Sequence, residues 1–347
     1  MIFSRLVRPG FHRRLTAVLV CAFTLAPAAL SAKTRPAGTG NAYKGAIIMD
    51  AATGNVLFND HDEESSPPAS MTKLMTFAVL HDKIQSGAIT LQTPVTVTAA
   101  DSKIGGTQVW LKEKEVFTVD ELLYAMMIQS ANDAAYALGR TAGGSIPAFV
   151  ALMNAKAREL GMTQTTFRTP HGLPPSNRNI AEGDLSTPRD FALLCRYLVQ
   201  KTDVLRYTSV KRRAFGPPVR NTIMDNHDHL LGKVEGVDGL KTGFTNGAGF
   251  CLSATAQRHG RRIIVVVMGS PDSKTRDIRV KELIEQGFAA LPPGGPAFVP
   301  AVNPASAPAG PDASPISAAP LPAGQPAAPA DDGSATIKFS LPPAKKN

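Results

Sequence analysis

Three short peptides, well separated and in this order, carry groups that could do chemistry: Ser70-Met71-Thr72-Lys73, Ser130-Ala131-Asn132 and Lys241-Thr242-Gly243. A serine hydroxyl is a weak nucleophile until a neighbour takes its proton. A lysine can take it when burial or a nearby cation keeps the amine neutral. Ser70 and Lys73 are three apart, a spacing that puts both on one face of a helix. Ser130 offers a second hydroxyl to pass a proton from Lys73 to a leaving amine. Asn132 offers an amide to bind a substrate carbonyl. Lys241 and Thr242 can hold a terminal carboxylate, and Gly243 lets a substrate backbone come close. The combination is a serine acyl-transfer site that works without histidine. Each peptide alone has a bland reading as a helix cap, a solvated lysine or an edge-strand lysine. The ordered set is far more specific than its parts.

The elements that must position these groups are legible from periodicity. Apolar runs at 46–49 and 56–58 flank the turn Thr53-Gly54-Asn55 and predict a hairpin. A helix begins near Ser70, with Met71, Leu74, Met75 and Ala78 along one buried face and Gly87 as its stop. Thr118 and Glu121 form a capping box for a second helix. That helix breaks at residues 129–133, and another resumes through Ala134 to Leu138. Thr187-Pro188-Arg189-Asp190 starts a further helix with proline at its first position. Residues 250–256 alternate as a strand, and Arg261-Arg262 is a turn edge. The unbroken apolar run 263–268 reads as a central strand, 277–288 as a closing helix, and Lys241 as the start of a strand. Strands, many helices, strands and a helix predict an α+β (α/β) domain: an antiparallel sheet flanked by helices, with a mostly helical insert.

Both ends differ from this middle. Residues 1–32 carry four arginines ahead of an apolar stretch and small residues, the pattern of a secretory signal peptide. An uncleaved anchor is the rival, and it would be the chain's one route to a membrane. Cys21 follows the bulky Val20, which excludes a lipid-accepting cysteine. Half of the chain's 28 prolines fall in residues 292–347, which predicts a disordered or polyproline-II-rich tail. Residues 33–291 are then the catalytic block. Loss of the leader lowers the net charge of +9 to about +5, a mild bias towards anionic surfaces. No basic run is interleaved with aromatics, so nucleic acid is not an expected partner. Cys195 and Cys251 sit among apolar residues and read as buried, unpaired thiols. His227 and His229 suggest no third ligand, so neither metal nor cofactor is expected. His61 and His171 belong to no conventional triad.

With these motifs the chain resembles the serine D-alanyl-D-alanine carboxypeptidases, the low-molecular-mass penicillin-binding proteins. The resemblance extends to residues 50–54, Ser130-Ala131-Asn132-Asp133-Ala134, His171-Gly172-Leu173, residues 238–245 and the Gly269 region. It implies a β-lactamase/transpeptidase-like fold and removal of the terminal D-alanine from peptidoglycan stem pentapeptides in the periplasm. It implies Ser70 as the acylated residue and Lys73 as its base. The backbone N–H groups of Ser70 and Phe244 would form the oxyanion hole, and β-lactams would acylate Ser70. Many members carry a second, β-rich domain and an amphipathic C-terminal helix, where this chain has its Pro/Ala-rich tail. The position after Lys-Thr-Gly is often histidine and is Phe244 here.

Three rivals stay open. A D,D-endopeptidase cuts cross-links with the same machinery. A β-lactamase is disfavoured, because no Glu-x-x-Leu-Asn pattern follows Asn132. A non-catalytic wall-binding module would not need Ser70, Lys73, Ser130 and Lys241 together.

Overall fold

The computed structural model describes residues 42–300; the expected signal peptide at 1–32 and most of the expected Pro/Ala-rich tail at 292–347 lie outside the described residues. In chain order the elements are β1 (Gly45–Asp50), β2 (Val56–Asp60), α1 (Thr72–Gln85), β3 (Pro94–Thr96) and β4 (Val116–Thr118). Then come α2 (Val119–Ile128), α3 (Asn132–Gly143), α4 (Ile146–Glu159), α5 (Pro188–Lys201) and the single turn α6 (Leu205–Thr208). Last are β5 (Arg212–Phe215), β6 (Thr222–Asp225), β7 (Val237–Thr245), β8 (Gly249–Arg258), β9 (Arg261–Ser270) and α7 (Ser273–Ala290).

Five strands form one antiparallel sheet in the order β2-β1-β9-β8-β7. The apolar run of β9 occupies its centre because both faces are covered. Ile263, Val265 and Val267 pack with Val280, Leu283 and Ile284 of α7. Ile264, Val266 and Met268 point the other way, into the larger core built by α1, α5 and the insert α2–α4. Each fully buried valine or isoleucine contributes about 1.5–3 kcal/mol by leaving water. The architecture is the α+β sheet-and-helix arrangement that the pattern predicts.

Local signals act as expected at several starts. Thr118 Oγ1 accepts the Glu121 N–H at 3.2 Å, and Thr187 Oγ1 accepts the Asp190 N–H at 3.1 Å. The capping box is only half made, since the Glu121 carboxylate accepts the Gly216 N–H instead. Helix α1 departs from expectation. Residues Thr72 to His81 are all buried, not one face, because the sheet, α2, α3, α4 and α5 surround it. Ser70 lies in a 3-10 turn, Ala69–Met71, just ahead of the α-helix. Lys241 is in the middle of β7, not at its start, and β7 is a sheet edge. Arg261 already belongs to β9; the turn is His259-Gly260. Packing also runs past residue 291. Phe298 is buried under the Arg262 guanidinium, 5.1 Å from its ring centroid, and donates its N–H to Gly260.

Candidate active site

Ser70 sits where the chain turns into α1, and two glycines grip that turn from opposite elements. Gly172, left-handed at φ +88°, presses on the Ala69 carbonyl so closely that a Cβ would overlap it. Gly243 of β7 approaches so near that a Cβ there would lie 2.6 Å from Pro68 O and 3.1 Å from the Ser70 nitrogen. Ala69 itself is left-handed, at φ +49°, a conformation that costs a non-glycine residue about 1–2 kcal/mol.

Lys73 is fully buried. Its Nζ lies 3.0 Å from Ser70 Oγ, 2.6 Å from Asn132 Oδ1 and 2.7 Å from the His171 carbonyl. The Asn132 amide is oriented by its Nδ2, which donates to Gly105 O at 2.9 Å, so its oxygen faces the lysine. A neutral amine has two N–H donors and one lone pair. Two carbonyl oxygens, which can only accept, take the donors. The lone pair is left for the Ser70 hydroxyl proton. Burial holds the Lys73 pKa well below the usual lysine value, and the Lys241 charge lowers it further; Asp184 and Asp133 oppose this.

Ser130 and Asn132 occupy the break between α2 and α3. Ser130 is buried and left-handed, at φ +63°, and Asn132 opens α3 with its N–H on Thr107 O at 2.8 Å. Asp133 beside it is buried and fixes the Val109 and Leu111 N–H groups. Ser70, Lys73 and Asn132 thus form one hydrogen-bonded group. Among the described residues Ser130 makes no direct hydrogen bond to it.

Lys241, 3% exposed, has its Nζ 3.2 Å from the Thr242 carbonyl. Burial lowers its pKa to about 7, with Asp228 raising it and Arg276 lowering it. Thr242 and Gly243 are buried beside it, and the half-buried Phe244 ring stacks on Phe250 at 4.1 Å.

Several neighbours escape sequence reasoning. The His171 carbonyl, not its ring, reaches Lys73, while its Nδ1 accepts the Leu173 N–H. Burial, then Lys241, pushes the His227 pKa down to about 3, so that half-buried imidazole stays neutral. Asp228 is buried, its pKa raised by that burial to about 6. Buried Arg276 pairs with Asp277 at 2.7 Å. Only the His171-Gly172-Leu173 motif flagged any of these. Glu159 and Glu182, glutamates that follow Asn132 in the chain, are engaged elsewhere: Glu159 with Lys156, and Glu182 with the Asn177 and Asn179 amides. Cys195 and Cys251 are buried and unpaired.

A serine gripped at a helix start, a buried lysine aimed at it and an antiparallel sheet edged by a second buried lysine define a serine acyl-transfer protein of the β-lactamase/transpeptidase-like fold. Known proteins agree. The sequence model of the D-alanyl-D-alanine carboxypeptidase family matches residues 32–272, and the chain belongs to that family. D-alanyl-D-alanine carboxypeptidase DacC of Escherichia coli is 35% identical over 80% of this chain and 68% of its own. DacF of Bacillus subtilis is 32% identical over 77% and 68% respectively. Among solved structures, the D-alanyl-D-alanine carboxypeptidase of Mycobacterium tuberculosis aligns with TM-score 0.68 at 29% identity, covering 78% of this chain and 98% of that one. A Listeria monocytogenes penicillin-binding protein in its ampicillin-bound form aligns at 0.64 and 28% identity, covering 73% and 99%.

Proposed function

We propose that the protein is a serine-type D-alanyl-D-alanine carboxypeptidase that trims peptidoglycan stem pentapeptides outside the cytoplasmic membrane, in the periplasm. The observation that carries this reading is the buried Lys73 amine, 3.0 Å from Ser70 Oγ with both of its donors taken by carbonyls. Neutral Lys73 removes the Ser70 proton as Oγ attacks the carbonyl carbon of the penultimate D-alanine. The oxyanion forms against the backbone N–H groups of Ser70 and Phe244, which Gly243 brings together by its close approach. Lys73 returns the proton through the Ser130 hydroxyl to the leaving nitrogen, the C–N bond breaks, and D-alanine departs. Water then opens the Ser70 ester, giving the shortened peptide and restoring the hydroxyl. Asn132 binds the substrate amide. Lys241 and Thr242 hold the terminal carboxylate, with Arg276 adding positive field. Penicillins present a reactive amide and a carboxylate to the same groups and acylate Ser70. Because Glu159 and Glu182 are both engaged elsewhere, that acyl-enzyme persists.

Incubating the protein with pentapeptide monomers and with cross-linked dimers tests the reading. Release of D-alanine from monomers is expected, with Ser70→Ala inactive. Cleavage of dimers without D-alanine release would instead establish a D,D-endopeptidase. Mass spectrometry after penicillin treatment is expected to place the adduct on Ser70.

A further inference from the structure

Asp184 lies in the loop before α5 and is 4% exposed. Its carboxylate accepts four hydrogen bonds. Oδ2 takes the Thr72 and Thr169 hydroxyls, each at 2.9 Å. Oδ1 takes the Arg168 N–H at 2.6 Å and the Thr169 N–H at 3.0 Å. The Thr169 hydroxyl accepts in turn the Gly172 N–H at 2.8 Å. Two further tethers run from α1 to the same loop: Thr76 Oγ1 donates to Pro170 O at 2.6 Å, and Lys73 Nζ to His171 O at 2.7 Å. Three side chains of one helix, Thr72, Lys73 and Thr76, therefore fasten residues 168–172. The loop supplies both the lysine's carbonyl acceptor and the Gly172 contact on the Ser70 turn.

A neutral side chain could tie Thr72 to Thr169 with less desolvation, since a buried carboxylate is costly even when fully hydrogen-bonded. Among the described residues no cation is within ion-pair distance of Asp184. Its field falls on Lys73.

We propose that Asp184 is a positioning residue for Lys73: it holds the His171 carbonyl on the lysine amine through the 168–172 loop, and it is the buried counter-charge to that amine when protonated. This rests on Lys73 being the base for Ser70. Without such a charge the amine would face only Asp133 as opposing anion, against burial and Lys241. Asp184 limits how far its basicity falls and so keeps it able to accept the serine proton. The charged and titratable groups facing Lys73 are Lys241 of β7, Asp133 of α3, Asp184 and His171 of the two loops, and His227 after β6. Burial pushes both imidazoles down to about 3, so neither titrates near neutrality.

The test is the acylation rate of the full chain with fluorescent penicillin over roughly pH 5 to 9, where a general base shows as an acid limb. The negative charge of Asp184 favours the protonated lysine. Its removal in Asp184→Asn therefore moves the acid limb to lower pH and lowers the plateau, because a weaker base drives the transfer. Thr76→Val cuts a loop tether without changing charge; it lowers the plateau and leaves the limb in place. Asp184→Ser, a smaller neutral residue with room for water, gives the same expected shift should the asparagine variant not fold. A limb unmoved in a folded neutral variant overturns the proposal, as does failure of both variants to fold, which would make the role purely structural. A wild-type profile with no acid limb, together with undiminished acylation of Lys73→Met, would instead overturn the base assignment itself.

Discussion

Lys73 and Lys241 are two buried lysines of one site, and their surroundings are opposite in kind. Lys73 meets two carbonyl acceptors and a serine hydroxyl within 3.0 Å, with two buried carboxylates acting on it from further off. Lys241 meets a single backbone carbonyl at 3.2 Å, with Asp228 opposed by the like charge of Arg276. The first amine is fully coordinated by the protein and needs no substrate to be aimed. The second has donors to spare and a neighbouring cation that penalises its charge. An incoming carboxylate relieves both. In the proposed mechanism the first lysine exchanges a proton and the second completes its coordination with an anion.

The largest expected effect comes from breaking the first of these. Lys73→Met keeps the volume and removes the proposed base, so acylation by penicillin is expected to fall by about 10³-fold, within the usual range for a general base. Folding is retained, because an apolar chain replaces a buried amine; a loss of less than tenfold would separate the lysine from the chemistry.

The two glycines that grip the Ser70 turn sharpen the contrast, one on each lysine's side. Gly243→Ala pushes β7 off Pro68 and the Ser70 nitrogen. Displacement of this size at a reacting centre lowers acylation by about 10²-fold. Gly172→Ala adds a left-handed penalty of about 1–2 kcal/mol to its overlap with the Ala69 carbonyl. Its effect falls on stability, read as a lowered midpoint in urea, as well as on rate.

Much of the candidate site was legible because its side chains lie in contiguous motifs whose spacing implies the element. Ser70 and Lys73, Ser130 and Asn132, and Lys241 to Phe244 needed only short-range pattern. The unbroken run 263–268 likewise announced a strand covered on both faces. The positioning groups were not legible, since they come from far along the chain. Asp184 meets Thr72 across 112 residues, and a backbone carbonyl such as that of His171 has no sequence signature. The full burial of α1 was hidden for the same reason. Periodicity shows one apolar face, but Lys73 and Thr76 are buried with hydrogen bonds to a loop nearly a hundred residues away, and Thr72 with one to Asp184 beyond it. Helix α4 carried a readable start, with Ser145 accepting the Ala148 N–H and a proline in its first turn, although no motif pointed to it.

Removing the second lysine has a smaller and differently distributed effect. Lys241→Gln loses a charge-assisted contact worth about 1.5–3 kcal/mol. KM for a D-alanyl-D-alanine peptide is expected to rise roughly 10- to 100-fold, with kcat less affected. A peptide whose terminal carboxylate is amidated should bind both forms alike. If the variant lost kcat instead of affinity, Lys241 would belong with Lys73 in the proton chemistry and the distinction between them would collapse.

The finest separation is by pH. Both lysines have depressed pKa values, but the proposed mechanism needs them in opposite states. Lys73 must be neutral to accept a proton, so its protonation on the acid side lowers the rate. Lys241 must be protonated to hold a carboxylate, and its pKa is about 7. Above that value the free enzyme loses the charge, and kcat/KM falls as pH rises, by up to about tenfold per unit once the amine is mostly neutral. A bound carboxylate favours the ammonium, so kcat should hold to higher pH than kcat/KM. The amidated peptide has no carboxylate to lose and should show the acid limb without the alkaline one. An alkaline limb of equal size for both peptides would assign it to some group other than Lys241.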